Sequence, residues 1–265
     1  MLKKFALFIL IIGVGIVAGC STAPSIRERA TGTLLDKIKA QGFIRIGTEG
    51  TYPPFTFKND QGYLTGFDIE VISEVAKRLG VKPVFVPTEW KAMFAGLDAN
   101  RFDLIANQVG INDQRREKYD FSDPYTVSGV RIIVHKDTTT IHSIADLKGK
   151  TVGVSQGSNY EAIAKKAGAT VRYYTGASEI LADLAAKRID AALNDRLFVA
   201  EYLMKNPDRN LKAVGSTFDS SRTGFVFRKG SPGLVAAVNK ALRDMQTDGT
   251  FKKISEKWFG EDVIR

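Results

Sequence analysis

The chain has 265 residues, 44% of them hydrophobic and 25% charged, which is ordinary for a globular protein of one large or two small domains. Its formal net charge is +9, but the basic residues are scattered, and inside the domain they form nothing longer than pairs such as Arg115-Arg116. We therefore expect a surface near anionic lipid headgroups and no nucleic-acid partner. With one cysteine and two histidines, the composition predicts neither an internal disulfide nor a metal site of the zinc type.

The N-terminal region has the layout of an export signal. Two lysines, Lys3 and Lys4, precede an apolar run over residues 5–17. That run has 13 residues, too few for a membrane-spanning helix, which needs about 20. Positive charge, a short apolar run and small residues before a cleavage point are typical of a cleavable signal peptide, so we expect export from the cytoplasm.

The sequence VAGC, which ends at Cys20, resembles the lipobox of bacterial lipoproteins. The resemblance implies that residues 1–19 are removed and that the Cys20 thiol is acylated, with palmitate as an expected acyl group. The protein would then be anchored by lipid to the cell membrane and face the periplasm or the cell exterior. An ordinary signal peptide with an incidental cysteine is the alternative. Residues 20–33 are polar, lack apolar periodicity and predict a tether.

Beyond residue 42, strand-like and helix-like segments alternate. One helix is predicted between Asp68 as its cap and Gly80 at its end, with apolar residues at helical spacing. Strands are predicted over residues 43–48, 81–87, 102–109, 150–156, 170–175, 189–195 and 224–230, and further helices over residues 91–99, 159–167, 178–187, 235–245 and 251–258. Such alternation is typical of parallel sheets with crossover helices, so the predicted fold class is α/β.

Two windows of the sequence are similar to each other. LDANRFDLIANQ, residues 97–108, and LAAKRIDAALND, residues 184–195, share Leu, Ala, Arg, Asp and Asn at five of twelve ungapped positions. We interpret them as equivalent helix–turn–strand units of two similar Rossmann-like lobes. Ligands of open parallel sheets bind beyond the carboxyl ends of the strands. Gln108 and Asp195 occupy equivalent strand ends, so both are expected in one cleft between the lobes.

The C-terminal strand and helices need a sheet to cover. Returning them to the first lobe makes the chain cross between lobes twice, near residues 128–132 and 216–224. Lobe 1 would then comprise residues 34–128 and 224–265, and lobe 2 residues 129–223. Two crossing strands form a hinge, which suits a clamp that closes on a ligand.

Several separated motifs resemble one protein family. They are YPPF at residues 52–55, GFDIEVISEVAKRL at 66–79, INDQRREKYDFSDPY at 111–125 and VGVSQGS at 152–158. Together they are similar to the family-3 extracellular solute-binding proteins, over nearly the whole chain after the signal region. The resemblance implies a periplasmic binding protein-like fold of type II. It also implies a monomer without cofactor or catalysis, which binds an amino acid and delivers it to the transmembrane subunits of an ABC permease.

More specific sequence similarities indicate which amino acid is the ligand. The segments ANQVGIND at residues 106–113 and KYDFSDPYTVSG at 118–129, together with Trp90, resemble the cystine-binding branch of the family. Cystine is therefore the expected ligand. Another polar or basic amino acid, such as arginine or glutamine, is the alternative.

Arg115 is the expected partner of the ligand's α-carboxylate. A guanidinium offers two parallel donors to a carboxylate, and the family carries its carboxylate-binding arginine at this position of the motif. A surface arginine in the first turn of a helix is the alternative. Gly110 permits a close backbone approach, so its N–H is a second expected donor. The family usually has Thr or Ser there, so one hydroxyl contact is expected to be missing.

Two acids are expected to meet the ammonium groups of the ligand. Asp195 matches the family's acidic residue for the α-ammonium, although an aspartate at a strand end is often the cap of the following helix. Glu49, just after the first strand, is expected to bind a distal ammonium, with an exposed loop acid as the alternative. The sequence GSN, which consists of Gly157, Ser158 and Asn159, lies at a helix start, where free N–H groups attract anions. Capping of that helix by Ser158 is the alternative.

The remaining candidates are aromatic. Tyr52 and Trp90 follow strand ends of the first lobe, and their rings are expected to enclose a ligand side chain or disulfide. Packing of loops against the core is the alternative for both. Phe67, next to a helix start, is consistent with either role.

Two enzymatic functions are weaker hypotheses than a binding function. The sequence GVSQG, residues 153–157, fits the nucleophile-elbow pattern G-x-S-x-G, but both histidines precede Ser155, whereas such hydrolases need one after it. A dehydratase on the same fold would need a general acid in the cleft, for which Glu49 or Asp195 would serve. A sensory ectodomain is a further alternative, and the absence of a signalling segment downstream argues against it.

Overall fold

The computed structural model describes residues 32–264. The predicted signal peptide, Cys20 and most of the predicted tether lie outside the described residues. Thr33, the last residue of that tether, instead caps the first helix. Its hydroxyl accepts a hydrogen bond from the Asp36 N–H, and the Asp36 carboxylate accepts one from the Thr33 N–H. This reciprocal pair is a capping box, so Thr33 belongs to the folded domain.

The described chain forms two α/β lobes. The elements of lobe 1 are α1 (Leu34–Gln41), β1 (Phe43–Thr48), β2 (Thr51–Tyr52), β3 (Thr56–Lys58), β4 (Leu64–Thr65), α2 (Phe67–Arg78), β5 (Lys82–Pro87), α3 (Trp90–Asp98), β6 (Leu104–Ile105), α4 (Asp113–Lys118) and β7 (Tyr119–Phe121). Those of lobe 2 are β8 (Thr126–His135), β9 (Thr151–Ser155), α5 (Asn159–Lys166), β10 (Thr170–Tyr174), α6 (Ala177–Ala185), β11 (Ala191–Asp195), α7 (Arg196–Lys205) and β12 (Leu211–Thr223). The chain then returns to lobe 1 with β13 (Val226–Arg228), α8 (Pro232–Thr247) and α9 (Thr250–Phe259). Short 3-10 helices span Ile144–Leu147 and Pro207–Arg209.

Each lobe is built on a five-stranded sheet with the same plan. The strand order is β5-β1-β6-β13-β7 in lobe 1 and β10-β9-β11-β8-β12 in lobe 2. In both sheets the first three strands of the row are parallel, and the fourth runs antiparallel to the third. A small sheet of β2, β3 and β4 occupies the stretch of lobe 1 between β1 and α2. The predicted α/β class with two Rossmann-like lobes is confirmed.

The two similar sequence windows fold alike. Asn100 and Lys187 follow α3 and α6, and both take the left-handed conformation, with φ of 58° and 57°. Asp103 and Asp190 come three residues later in each window. Each accepts a hydrogen bond from a backbone N–H of the first parallel strand of its own lobe, at 2.9 and 2.7 Å. The shared aspartates therefore fix the same helix–turn–strand geometry in both lobes.

Two strands connect the lobes. β8 leaves lobe 1 and β12 returns to it, and they pair antiparallel with each other from Thr126 opposite Thr223 to His135 opposite Leu211. Inside lobe 2, β8 also pairs with β11 from Val130 onward. The stretches that run between the sheets are therefore residues 126–129 and 219–223, which we call the hinge strands.

The start of α2 differs from the sequence prediction. Its N-cap is Gly66, and Asp68 lies within the first turn with a fully buried side chain. Gly66 has a φ of 129°, and a Cβ there would lie 2.2 Å from the Phe55 carbonyl oxygen, so the backbone approach requires glycine. Phe67, whose role the sequence left open, is fully buried and stacks on Tyr125 in the core of lobe 1.

The cores account for the periodicity of the sequence. In lobe 2 the alternate residues Val130, Ile132 and Val134 of β8 pack in one apolar cluster, whereas Ile133 packs on the other face of the sheet. That alternation is the period-two pattern of a strand with both faces covered. Among residues 32–264, none of the helices has the length and apolar content to cross a membrane.

Candidate functional site

A cavity of about 50 Å³ lies between the lobes at the carboxyl ends of their parallel strands. Lobe 1 contributes residues that follow β1 and β6, and lobe 2 contributes residues at the ends of β9 and β11. The lining residues are Glu49, Tyr52, Trp90, Asn107, Gln108, Ser155, Ser158, Asn159, Tyr160, Ala177 and Asn194. This is the place at which open parallel sheets bind ligands, and six of the predicted site residues line it.

Two wider openings flank the cavity and share residues with it. An opening of about 460 Å³ shares Ser158, and one of about 250 Å³ shares Glu49. In the first opening Glu161 pairs with Lys165, which leaves the cations Arg115 and Lys118. In the second opening Glu89 pairs with Lys91 outside the lining, which leaves the anions Glu49 and Glu179. The cleft therefore has a cationic end and an anionic end.

Arg115 is held in the first turn of α4, where the N-cap Asn112 accepts a hydrogen bond from its backbone N–H at 2.8 Å. Its Nη1 donates to the Gly110 carbonyl at 2.8 Å, and its Nη2 donates across the cleft to the Gly157 carbonyl at 3.1 Å. The guanidinium carbon also lies 5.5 Å from the centre of the Trp90 ring, within the range of a cation–π contact. The side chain is thereby fixed toward lobe 2.

The charge of Arg115 is buried without a carboxylate partner in the described part of the chain. Burial lowers its pKa to about 10, so the guanidinium stays charged at neutral pH. A buried cation bonded only to neutral carbonyls is poorly compensated. An anionic group of a ligand would compensate it.

Glu49 supplies a negative charge on the opposite side of the cavity. One of its carboxylate oxygens accepts a hydrogen bond from Asn107 Nδ2 at 2.6 Å, and its backbone N–H donates to Asn107 Oδ1 at 2.8 Å. Burial raises the pKa of Glu49 to about 7, although the hydrogen bond from Asn107 and one from the Trp90 backbone N–H oppose that rise. The carboxylate has no cationic partner in the described part of the chain and is suited to an ammonium group.

Asp195 is buried at the end of β11, with 4% of its surface exposed. Its Oδ1 accepts a hydrogen bond from the Leu197 N–H at 2.8 Å, so it is the N-cap of α7, as the structural alternative predicted. Burial raises its pKa to about 6. Asp195 does not itself line the cavity, but burial and, to a lesser extent, the Asp195 charge raise the pKa of Tyr52 and Tyr160, whose side chains do line it. Its negative charge therefore acts inside the cavity.

The two aromatic residues predicted for the site, Tyr52 and Trp90, both lie at the cavity, and each packs against a different ring. The Tyr52 ring stacks on Phe198 of lobe 2 at 4.8 Å between centroids. Trp90 is 9% exposed and meets Phe94 edge to face at 5.9 Å. Both rings line the cavity and contribute to its apolar surface.

Direct contacts join the lobes across the cleft. Tyr52 of lobe 1 donates its hydroxyl hydrogen to Asn194 Oδ1 of lobe 2 at 2.6 Å, and Arg115 reaches Gly157 as described above. Because side chains of both lobes bond with each other, the structure shows the closed arrangement of the clamp.

Gly110, Gly157 and Ser158 were predicted as loop residues of the site. A Cβ on Gly110 would lie 3.6 Å from Arg115 Nη1 and 3.8 Å from Asn159 Cγ, so glycine leaves room beside the guanidinium. The Gly157 N–H is already bonded to the Glu161 carboxylate at 3.0 Å. Ser158 makes no capping hydrogen bond, and its buried hydroxyl has no partner among residues 32–264, so it is available to a ligand.

Gln108 lines the cavity, but its side chain is engaged elsewhere. Its amide donates to Asp68 Oδ1 at 2.7 Å and to Thr126 Oγ1 at 3.3 Å, and its Oε1 accepts a hydrogen bond from the Thr223 hydroxyl at 3.2 Å. These bonds engage both the nitrogen and the oxygen of the amide, so Gln108 presents only the flat face of its side chain to the cavity.

Sequence reasoning missed several residues of the site. Asn107 and Asn194 are the asparagines shared by the two similar windows, so a signal for both was present in the sequence. Tyr160 follows the GSN motif directly and lines the cavity with Ser155. For Tyr160 and Ser155 no local pattern gives a signal, because they meet residues of lobe 1 only in the folded protein.

The fold and the cleft define the class of protein. Two α/β lobes, two hinge strands and a closing cleft that holds unpaired charges of both signs are the features of a clamp that binds a small solute. The sequence matches the bacterial extracellular solute-binding proteins, family 3, over residues 44–261. The chain belongs to that family.

Two binding proteins are similar to this chain over nearly their full length. The L-cystine-binding protein TcyA of Bacillus subtilis is 45% identical over 269 residues, covering 100% of both chains. The L-cystine-binding protein TcyJ of Escherichia coli is 44% identical, covering 96% of this chain and 95% of that protein. Both are solute-binding proteins.

Solved structures share the fold. An ancestral arginine-binding protein bound to arginine superposes with a TM-score of 0.79 at 41% identity, covering 82% of this chain and 98% of that chain. The L-cystine solute receptor of Neisseria gonorrhoeae, in its unliganded open conformation, gives a TM-score of 0.59 at 43% identity, covering 88% and 99%. Since the two identities are nearly equal, sequence divergence does not explain the lower score. That receptor is in an open conformation, whereas here side chains of the two lobes bond across the cleft.

Within the described range 32–264, no group of three or more His, Cys, Asp or Glu side chains is placed to hold a metal ion.

Proposed function

We propose that this protein is the solute-binding component of an ABC amino-acid importer and that L-cystine is its ligand. The observation that carries the proposal is the pattern of unpaired charge in the cleft. Arg115, Glu49 and Asp195 are all largely buried, and no salt bridge within residues 32–264 neutralises any of them. A ligand with charges of both signs would compensate all three at once.

Each charge is assigned to one group of the ligand. Arg115 binds an α-carboxylate through its two Nη donors, which would exchange the carbonyls of Gly110 and Gly157 for carboxylate oxygens. Asp195 binds the α-ammonium of the same amino-acid half. Glu49, at the anionic end of the cleft, binds an ammonium at the far end of the ligand.

A distal ammonium favours cystine over glutamine. L-cystine carries an α-ammonium on each half, whereas the glutamine side chain ends in a neutral amide that would leave Glu49 uncompensated. Arginine also presents a distal cation and is the alternative, which the likeness to an arginine-bound structure supports. The full-length relatives named as L-cystine-binding proteins favour cystine.

Neutral groups complete the proposed site. The Ser158 hydroxyl and the Asn159 side chain lie at the start of α5 and would donate to the carboxylate beside Arg115. Tyr52 and Trp90 would enclose the aliphatic and disulfide part of cystine. Gly110 contributes its backbone and the space beside Arg115, while Gly157 and Gln108 form part of the walls.

The protein is anchored to the membrane and its lobes move relative to each other. We propose that residues 34–128 with 224–265 and residues 129–223 move as two bodies, and that the monomer docks on the permease when closed. Cys20 carries a lipid anchor, as the sequence VAGC after a 13-residue apolar run indicates. The relatives that match over their full length are binding proteins, so the activity is capture without chemistry.

Calorimetric titration of the purified protein tests the ligand assignment. L-cystine, L-arginine and L-glutamine would be compared with cystamine, which has the disulfide and both ammonium groups of cystine but no carboxylate. We expect one molecule of L-cystine to bind per chain, more tightly than the other two amino acids, and cystamine to give no measurable heat. Tighter binding of arginine would replace cystine as the ligand, and binding of none of them would overturn the function.

A further inference from the structure

A second buried acid lies behind the ligand cleft. Asp68, in the first turn of α2, is fully buried, and Gln108 donates a hydrogen bond to each of its two carboxylate oxygens. The Gln108 backbone N–H donates to Oδ2 at 2.8 Å, and the Gln108 side-chain amide donates to Oδ1 at 2.7 Å. No salt bridge within residues 32–264 includes Asp68. Burying a carboxylate in this way is costly, and a capping role does not explain it because Gly66 is the N-cap.

The bond to the backbone holds Gln108 in an unusual conformation. Its φ is +47°, in the left-handed region that a residue with a side chain rarely takes. Asn107, just before it, bonds to Glu49, and Gly110, two residues after it, accepts a hydrogen bond from Arg115. The turn that Asp68 stabilises therefore carries the chain from one ligand-binding charge to the other.

The side chain of Gln108 reaches both hinge strands. Its amide nitrogen donates to Thr126 Oγ1, and its amide oxygen accepts a hydrogen bond from the Thr223 hydroxyl. Thr126 and Thr223 lie opposite each other where the hinge strands leave lobe 1, and both are buried. The backbone adds to the connection, because Gly110 forms an isolated antiparallel bridge with Thr223.

We propose that Asp68 is a positioning residue that couples the ligand-binding turn to the hinge by holding Gln108 across both hinge strands. The proposal rests on the binding function argued above but concerns closure of the clamp and not contact with the ligand. When Arg115 and Glu49 are drawn toward a ligand, the rigid turn transmits that displacement to Thr126 and Thr223. Without Asp68 the turn relaxes and the closed arrangement loses part of its stability.

The test separates this role from folding. Asp68→Ala would be compared with Asp68→Asn in a chain whose Cys20 is replaced by Ser and whose exposed Tyr63 and Met204, one in each lobe, are replaced by Cys for fluorophores. Lobe separation would be measured by energy transfer without ligand, and L-cystine association and dissociation rates with it. We expect Asp68→Ala to broaden the separation without ligand and to raise the Kd about tenfold, mainly through faster dissociation.

One conservative variant should restore the affinity that Asp68→Ala loses, and another tests the bond to the hinge independently. An asparagine at position 68 still accepts from the Gln108 N–H, and it bonds to the side chain once that amide turns over, so Asp68→Asn should restore most of the affinity. Thr223→Val keeps the shape but removes one tie to the hinge, and should weaken binding in the same direction as Asp68→Ala. If Asp68→Ala gives no folded protein, Thr223→Val and Gln108→Leu decide the question by the same two measurements.

Asp103 provides the matched control. It is a buried carboxylate of lobe 1 that also accepts a backbone N–H, from Arg45 at 2.9 Å, but it has no bond to the hinge. Asp103→Ala should lower the Tm while leaving lobe separation and Kd within about twofold of the parent. If Asp68→Ala behaves like Asp103→Ala, the proposal is wrong and Asp68 is structural only. If the parent does not bind L-cystine, the proposed function fails, and the lobe separation without ligand still decides on Asp68.

Discussion

At the scale of single residues, the site is defined by charges that the protein leaves uncompensated. Within residues 32–264, Arg115 bonds only to backbone carbonyls and two aromatic rings, and Glu49 bonds only to an amide and a backbone N–H. Each arrangement fixes the side chain without neutralising it. A free amino acid carries the two charges that are missing, so a site of this kind selects zwitterions over neutral solutes of equal size.

Binding should depend on pH, because both acids of the site have raised pKa values. The pKa of Asp195 is raised to about 6 and that of Glu49 to about 7, in each case mainly by burial. An ammonium group pairs only with the ionised carboxylates, so L-cystine affinity should fall as pH drops below about 7, where Glu49 takes up a proton, and more steeply below about 6, where Asp195 does so too, approaching tenfold per pH unit for each protonated acid. Binding near pH 6 should also release protons. Calorimetry between pH 5 and 7.5, in two buffers of different ionisation enthalpy, measures both effects.

The same groups set the sign of the effect on stability without ligand. A carboxyl with a raised pKa in the folded state holds its proton where the unfolded chain has lost it. The free energy of unfolding should therefore decrease as pH rises from about 4 to about 7, by the contribution of these acids. Asp195→Asn should reduce both the slope and the proton release. An affinity that stays constant from pH 5 to 7.5 would contradict the pairing of ligand ammonium with these acids.

At the scale of elements, periodicity located the crossover units well. β1 has its predicted bounds, and α5 and α6 begin and end within two residues of the predicted ones. α1 was missed, although Thr33, Asp36 and Gly42 supply a capping box and a left-handed C-cap, because the segment is short and follows a polar stretch.

β6 shows what local sequence does not contain. The apolar pattern predicted a strand over residues 102–109, whereas β6 covers only Leu104–Ile105. The chain leaves the sheet because Asn107 bonds to Glu49 and Gln108 bonds to Asp68, 58 and 40 residues away in the sequence. Contacts of that separation decide where a strand ends and which polar residues face a cleft, and no short window records them. Asp68, predicted as a helix cap, was misassigned for the same reason.

The close approach at the start of α2 gives a prediction at this scale. Gly66→Ala would place a Cβ 2.2 Å from the Phe55 carbonyl oxygen at a φ of 129°, so we expect a loss of more than about 2 kcal/mol in the free energy of unfolding, measured with denaturant. Gly233 in α8 is the matched control, because a Cβ there has open space. Gly233→Ala should be neutral or stabilise by up to about 1 kcal/mol. Equal effects of the two substitutions would contradict the backbone contact.

At the scale of the whole molecule, two lobes of one plan are joined by a pair of antiparallel strands. The sequence alone predicted this plan, because the shared windows repeat the helix–turn–strand unit and the C-terminal elements needed a sheet to cover. The closed state was not predictable, since it depends on side chains from opposite lobes, such as Tyr52 and Asn194, that meet only after folding. The position of the charges explains why closure and binding are linked: Arg115 lies in lobe 1, Asp195 in lobe 2, and one ligand spans both.

The central claim is that Arg115 holds the ligand's α-carboxylate in this closing cleft. Calorimetric titration of L-cystine into Arg115→Ala, beside the parent and Arg116→Ala, tests it most directly. Arg116 is the neighbouring, exposed arginine of the same helix and has no contact with the cavity. Loss of a buried charged partner typically costs about 2–5 kcal/mol, so Arg115→Ala should weaken binding by at least about 30-fold, while Arg116→Ala stays within about twofold of the parent. Equal affinities of Arg115→Ala and the parent would contradict the account.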